Sequence, residues 1–140
     1  MGHYIANLRD IEFCLFDLLG REKVLGTSLY SDLDRETAVG MLEEVKRMCE
    51  NDLADSFVES DRIGAELNKE TGNVTLPESF KKSYKAYIDG EWWRVDAPVE
   101  LGGLKIPPSL RWAIAEMVLG SNPAIHIYAS GYAFAQVAHV

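Results

Sequence analysis

Apolar side chains recur at helical spacing in several separate stretches of this chain. Asn7 can cap the first stretch with Asp10 at its N3 position, and Gly20 can close it. The pattern predicts a helix near residues 7–19. Its apolar face consists of Leu8, Ile11, Leu15 and Leu18.

The longest amphipathic pattern runs from Asp34, a candidate N-cap, to at least Ser60. The run TGNVTLP at 71–77 predicts a turn, after which Pro77 suits the first position of a helix that ends near Gly90. The apolar face of the long helix consists of Ala38, Leu42, Val45, Cys49, Leu53 and Phe57.

Two further helices follow. Pro107 and Pro108 begin the segment LRWAIAEMVLG, which Gly120 and the pair Asn122–Pro123 should end. A last helix then runs from about Pro123 to the C-terminus. Together these elements predict an all-α fold, a helical bundle of about five helices.

The last helix is apolar or small on every face along AIHIYASGYAFAQVAHV. Such a helix has to be covered by protein on all sides, and four amphipathic helices cover about half of it. We therefore expect the chain to be the N-terminal piece of a longer parent protein. Residues 123–140 contain no charged side chain, but Ser130, Gln136 and two histidines interrupt them, so we expect no membrane span.

Composition narrows the class of protein. With 140 residues, 47% hydrophobic and 26% charged, the chain can bury an ordinary core as one domain. A formal net charge of -8 disfavours nucleic acid as a partner, because phosphate binding relies on clustered basic side chains. Cys14 and Cys49 both lie in apolar helical patterns, which indicates buried free thiols and a reducing, cytoplasmic location.

Familiar site motifs are missing from the sequence. It contains no phosphate-binding glycine motif after a strand, and its histidines, His3, His126 and His139, are too dispersed for a metal site. Glu116, within WAIAEMVLG, is the carboxylate that we expect to be partly buried. It suits either a structural hydrogen bond or ion pair, or a role near a ligand.

Aromatic side chains leave two interpretations open. Trp92 and Trp93 can anchor the loop that follows or form a stacking platform, and packing is the simpler interpretation. Tyr128 and Tyr132 lie four residues apart, so they can share one face of the last helix as core residues or present their hydroxyl groups there.

The order of these features resembles the N-terminal domain of the acyl-CoA dehydrogenase family: a helical segment, the connection EWWRVDAPVELGGLKIPPSL at 91–110, an amphipathic helix, and a helix of small residues. In that connection Leu101 stands where the family usually has an aromatic residue, and Lys105 where it usually has glycine. The residues that carry the resemblance are Trp93, Pro98, Glu100, Gly102, Gly103, Leu104 and Pro107.

The first ~35 residues resemble an extra N-terminal helix found in a bacterial subset of the family, which includes long-chain acyl-CoA and methylthiopropanoyl-CoA dehydrogenases. The resemblance therefore implies two parts. Residues 1–33 are the extra segment, and residues 34–140 are the helical N-terminal domain, cut within its last helix.

The resemblance also implies a function for the parent protein. Family members use FAD to desaturate acyl-CoA thioesters in fatty acid oxidation, with a glutamate base in the C-terminal domain and most FAD contacts in the middle and C-terminal domains. These parts lie beyond Val140, so we expect this chain alone to be inactive, with no catalytic, FAD-binding or metal-binding residue.

Within this chain, the resemblance places Ile127, Tyr128 and Gly131 where the last helix walls the acyl tunnel. The implied partners are the acyl-CoA substrate and the remaining domains of the same enzyme, and the apolar last helix favours self-association. The alternative is a stand-alone helical module for protein interaction or dimerisation, without enzymatic activity.

Overall fold

The computed structural model of the chain describes residues 2–131. Within this range, the elements confirm an all-α bundle of about five helices, if α2 and α3 are counted as one long helix. Residues 132–140, with Tyr132, Gln136 and His139, lie outside the described residues. The elements are α1 (Leu8–Glu12), α2 (Arg35–Met48), α3 (Ala54–Ile63), β1 (Glu66–Leu67), β2 (Val74–Thr75), α4 (Glu78–Asp89), α5 (Pro108–Ser121) and α6 (Pro123–Ala129).

The long helix α2–α3 is the centre of the bundle. Its first turn is capped as predicted, because the Asp34 carboxylate accepts a hydrogen bond from the Thr37 amide at 2.8 Å. Leu42, Val45 and Leu53 on its inner face are fully buried. The helix reaches Ile63, slightly beyond the predicted minimum.

A π-helical turn, Cys49–Leu53, interrupts the long helix. A π-turn pairs residue i with i+5 and disturbs the regular ladder, so its carbonyl oxygens have capacity for additional partners. Two of them bind other helices. The Asp52 carbonyl accepts a hydrogen bond from the Ser83 hydroxyl of α4 at 2.6 Å, and the Leu53 carbonyl accepts one from the Asn122 side chain at 3.1 Å.

Asn122 separates α5 from α6 and is fully buried. Besides its bond to the Leu53 carbonyl, its amide nitrogen donates to the Ser56 hydroxyl at 3.0 Å. Its side-chain oxygen accepts from the Ile125 amide at 3.4 Å and so caps α6. One side chain therefore begins α6 and attaches it to the middle of the long helix.

The N-terminal segment packs on the same core as the rest of the chain. Ile11, Leu15 and Phe16 join the core cluster, as do Leu25 and Leu33. The Glu50 carboxylate on the long helix also accepts a hydrogen bond from the Ala6 amide at 2.9 Å. Residues 2–33 are thus an integral layer of the bundle.

The prediction for Cys14 is wrong in one respect. Both cysteines are free thiols and Cys49 is buried, but Cys14 is exposed, and Leu18 is 69% exposed. The reason is a second π-helical turn, Phe13–Leu18, which follows α1. It departs from the 3.6-residue period, so Leu15 and Phe16 turn inward while their neighbours turn out.

The predicted turn at 71–77 is also wrong in extent. Val74–Thr75 forms a strand that pairs antiparallel with Glu66–Leu67, so the reversal lies at 68–73. The Asn68 side chain accepts hydrogen bonds from the Glu70 and Thr71 amides, both at 3.0 Å, and begins this reversal.

We expect the substitution Asn122→Ala to lower the free energy of unfolding by about 2–4 kcal/mol, because it removes a helix cap and leaves buried acceptors without their donor. Urea unfolding followed by circular dichroism measures this change. Asn51→Ala is the matched control: its side chain is exposed and bonds only to the Arg47 carbonyl of its own helix in the described structure. A loss as small as that of the control would contradict the role given to Asn122.

Candidate functional site

Hydrogen bonds within the connection between α4 and α5 hold its two ends together. The Leu104 amide donates to the Arg94 carbonyl at 2.7 Å, and the Arg94 side chain donates back to the Gly102 carbonyl at 2.8 Å. Gly102 has a φ of +86°, a left-handed conformation that favours glycine. Gly103 is required for a different reason, since a Cβ there would lie 1.8 Å from the Ala97 carbonyl oxygen.

Side chains then fix the connection to the bundle. Trp92 and Trp93 are partly buried and pack against the core, which confirms their role as packing anchors. The Asp96 carboxylate is buried and forms an ion pair with Arg111 in α5. These contacts set where α5 begins, and α5 leads directly to the Asn122 junction and α6.

Of the predicted tunnel residues, Ile127 and Tyr128 lie on the exposed side of α6, and Gly131 follows the end of this helix. Ile125 and Ala129 are buried against the core, whereas Ile127 is 67% and Tyr128 50% exposed. Gly131 is exposed, and a Cβ added to it would meet no atom within 4 Å. Ile127 and Gly131 therefore face open space in the described structure.

Tyr128 makes two aromatic contacts in the described structure, and both partners lie in α4. Its ring centroid lies 5.1 Å from that of Phe80 and 6.2 Å from that of Tyr84, in edge-to-face arrangements. Sequence reasoning did not connect Phe80 and Tyr84 with this site. Their spacing of four residues in ESFKKSYKAYID was the available signal.

Two open grooves meet at Tyr128. One, of about 310 Å³, lies between α3, the start of α4 and α6, and includes Phe57 and Pro123. The other, of about 460 Å³, follows α4 past Tyr84 to Ile88. The walls of both grooves are mainly apolar, so these grooves can recognise an apolar group by shape and burial.

The two titratable groups with strongly raised pKa values, Cys49 and Tyr4, do not line either groove. Burial raises the pKa of the Cys49 thiol to about 12, and burial, with the nearby acidic groups of Cys49, Glu116 and Glu50, raises the pKa of Tyr4 to about 12. Glu116 itself is exposed, contrary to prediction, because it lies on the outer side of α5, between the buried Ala115 and Met117. It contributes a negative charge near Tyr4 and no buried carboxylate.

Neither a metal site nor a membrane-spanning helix is found among residues 2–131. No group of three or more potential ligand side chains is close enough there to hold a metal ion. No helix in that range combines the length and apolar character needed to cross a bilayer.

Comparison with known proteins reveals two relatives. The chain is 46% identical over 137 residues to the broad-specificity linear acyl-CoA dehydrogenase FadE5 of Mycobacterium tuberculosis, covering 98% of this chain and 22% of that protein. It is 34% identical over 115 residues to 3-methylmercaptopropionyl-CoA dehydrogenase of Ruegeria pomeroyi, covering 82% of this chain and 19% of that protein. No family model matches the chain. The chain thus spans about a fifth of the length of these relatives.

We expect Gly103→Ala to lower the free energy of unfolding by about 1–3 kcal/mol, because the connection must shift to relieve the contact with Ala97. Gly40→Ala, within α2, is the control. Its Cβ would meet nothing within 4 Å, and alanine is the better helix former, so we expect a gain of about 0.5–1 kcal/mol. Urea unfolding of both variants checks the opposite signs; a stabilising Gly103→Ala would contradict the geometry.

Stability should fall in alkali. The folded-state pKa values of Cys49 and Tyr4, both about 12, exceed the ordinary values of 9.0 and 10.0, so the folded chain holds these protons more tightly. Their contribution is complete below about pH 9 and is lost as the pH rises towards 12. Tyr4→Phe keeps the ring that packs on Gly120 but removes one titration.

The melting temperature of Tyr4→Phe should therefore decrease less steeply than that of the natural chain between pH 10 and 12. Differential scanning calorimetry across that range measures the two slopes. Parallel curves would mean that the Tyr4 hydroxyl titrates alike in the folded and unfolded chains.

Proposed function

Because this chain is homologous to acyl-CoA dehydrogenases over nearly its whole length, we propose that it forms the N-terminal helical domain of such an enzyme. Residues 34–140 are the domain itself, and residues 1–33 are an extra segment that packs on it. The similarity to FadE5 covers 98% of the chain, so it reaches into this extra segment. The remaining domains of the parent enzyme are the chain's first partners.

The proposed role of the domain is to wall the acyl site. The observation that carries this role is the pair of apolar grooves that meet at Tyr128 on the outward side of α6. A saturated acyl group has no hydrogen-bonding atoms beyond its thioester, so its recognition depends on apolar area and shape. Ile127 and Gly131 are exposed close to Tyr128 in sequence, although they line neither groove in the described structure.

The parent enzyme is proposed to desaturate acyl-CoA thioesters between the α and β carbons, with FAD as the hydride acceptor. We propose that the described residues supply no flavin site of their own. Their two buried side-chain polar atoms without a partner, the Arg21 Nε and the Ser79 hydroxyl, belong to different segments and make no joint donor set. We assign the base and the flavin contacts to other domains, so the isolated chain is inactive in this proposal.

An alternative is that the chain works alone as a helical interaction or dimerisation module. Exposed apolar side chains on its last two helices favour this alternative, namely Trp112 at 58%, Leu119 at 39% and Ile127 at 67%. Oxidation of acyl-CoA by the complete protein, measured with an artificial electron acceptor, separates the two proposals. With the first proposal we propose a bacterial enzyme, and the free thiols of Cys14 and Cys49 favour a cytoplasmic location.

Gly131→Leu in the complete enzyme should lower kcat/KM for long acyl-CoAs more than for short ones, by about tenfold or more, since the added side chain occupies the space proposed for the chain. A Cβ added at Gly131 meets no atom of the described residues within 4 Å. Steady-state kinetics across a series of chain lengths measures the effect.

Gly40→Leu is the matched control, because a Cβ at Gly40 likewise meets nothing within 4 Å, but Gly40 lies on α2. An equal loss across all chain lengths would remove Gly131 from the acyl site.

A further inference from the structure

An exposed strip of side chains runs along the N-terminal segment. Arg9, Phe13, Asp17 and Leu18 are all exposed, Phe13 at 54% and Leu18 at 69%. Phe13 follows Arg9 by four residues, the spacing that puts two side chains on one face of a helix. The π-turn Phe13–Leu18 pairs residue i with i+5, so Leu18 lies over Phe13 on this face. We call these four residues the N-terminal strip.

The two ends of the strip carry opposite charges that are not neutralised within the described structure. Among residues 2–131, no side-chain hydrogen bond or ion pair involves Arg9 or Asp17. Arg21 follows Asp17 by four residues but does not pair with it, and its Nε is buried without a hydrogen-bond partner. The charges of Arg9 and Asp17 are therefore available to a partner outside the chain.

The strip is complementary to a second copy of itself. Phe13 lies midway, four residues after Arg9 and four before Asp17. When two copies of the segment pack antiparallel about a two-fold axis at Phe13, Arg9 of each copy faces Asp17 of the other. At 1.5 Å per residue, each charge lies about 6 Å from the axis, so both ion pairs form together around the two Phe13 rings.

We propose that the N-terminal strip is a contact between two copies of this chain, with Phe13 at its centre and two reciprocal ion pairs between Arg9 and Asp17. A chain with a net charge of -8 repels a second copy over most of its surface, so self-contact requires a local match of opposite charges. The strip provides that match, and Phe13 and Leu18 add apolar area.

The size of the strip indicates how strong the contact is. A stable interface uses roughly 20–30 residues from each partner, and the strip supplies far fewer, so on its own it forms a weak, reversible contact. Such a contact is best detected by capture at a defined position. The proposal goes beyond the proposed function and does not depend on any chemistry of acyl-CoA.

Cys14 provides that position. It is an exposed free thiol next to Phe13, so antiparallel packing about Phe13 brings the Cys14 thiols of two copies towards the same axis. A short bismaleimide joins two thiols by adding each to a maleimide double bond, which requires no oxidant. In the complete protein, mass spectrometry should find a peptide in which Cys14 is linked to Cys14, a product that requires two copies. Cys14→Ser should abolish it.

Charge reversal tests the arrangement itself. Arg9→Asp and Asp17→Arg each place like charges opposite one another twice in the pair of copies, so each should lower the yield of linked peptide by about tenfold. The double variant Arg9→Asp/Asp17→Arg exchanges the two charges and should restore most of the yield. Restoration by the second reversal is expected only if the two residues face each other.

Control variants separate this contact from other effects. Arg62→Asp makes the same change of charge at an exposed arginine of α3, outside the strip, and should leave the yield unchanged. Trp112→Asp does the same for the exposed apolar surface of α5. A monofunctional maleimide measures the reactivity of Cys14 in every variant, and thermal unfolding monitors folding.

Four outcomes overturn the proposal. Cys14 that reacts with the monofunctional reagent but gives no linked peptide means that the strip is free. Cys14 that reacts with neither reagent means that another domain covers the strip. A yield that ignores both reversals, or that the double variant does not restore, excludes the reciprocal pairs. A loss of yield in Trp112→Asp with none in Arg9→Asp moves the contact to α5. Oxidation of acyl-CoA is measured separately, so its failure would leave this result unaffected.

Discussion

The arrangement of the bundle depends on hydrogen bonds made to one π-helical turn. The Asn122 amide reaches the Leu53 carbonyl, and the Ser83 hydroxyl reaches the Asp52 carbonyl, so α6 and α4 are attached to adjacent residues of the long helix. Buried polar groups need such partners, which makes these positions far more restrictive than apolar packing alone. Because α4 and α6 are held side by side, Tyr128 meets Phe80 and Tyr84.

The connection at 91–110 imposes the second constraint. Its backbone bonds, the close approach of Gly103 to Ala97 and the ion pair of Asp96 with Arg111 fix the start of α5. α5 is buried along most of its length and transmits this position to the Asn122 junction. The residues that carry the family resemblance thus act on the apolar face from a distance, through the placement of a helix.

The face around Tyr128 offers shape and little polar chemistry. Its lysines are paired within α4, and Asn122 is committed to the long helix. The strongly shifted groups, Tyr4 and Cys49, line neither groove and owe their high pKa values chiefly to burial. A surface of this composition can recognise an apolar group by shape and burial.

Local period and local hydrogen bonding made several features predictable from the sequence. These are the helices, the caps at Asn7 and Asp34, the buried face from Ala38 to Leu53, and the anchoring of the connection by its tryptophans. The sequence also carried the family resemblance. Contacts between distant segments set the π-turns, the exposure of Cys14 and Glu116, the hairpin and the partners of Tyr128, so these could not be predicted from the sequence. The π-turn Cys49–Leu53 is not evident in the local pattern, since two of its carbonyl oxygens bind Ser83 and Asn122, which are distant in sequence. Which side of a uniformly apolar helix faces its neighbours likewise depends on contacts that a periodic pattern does not contain.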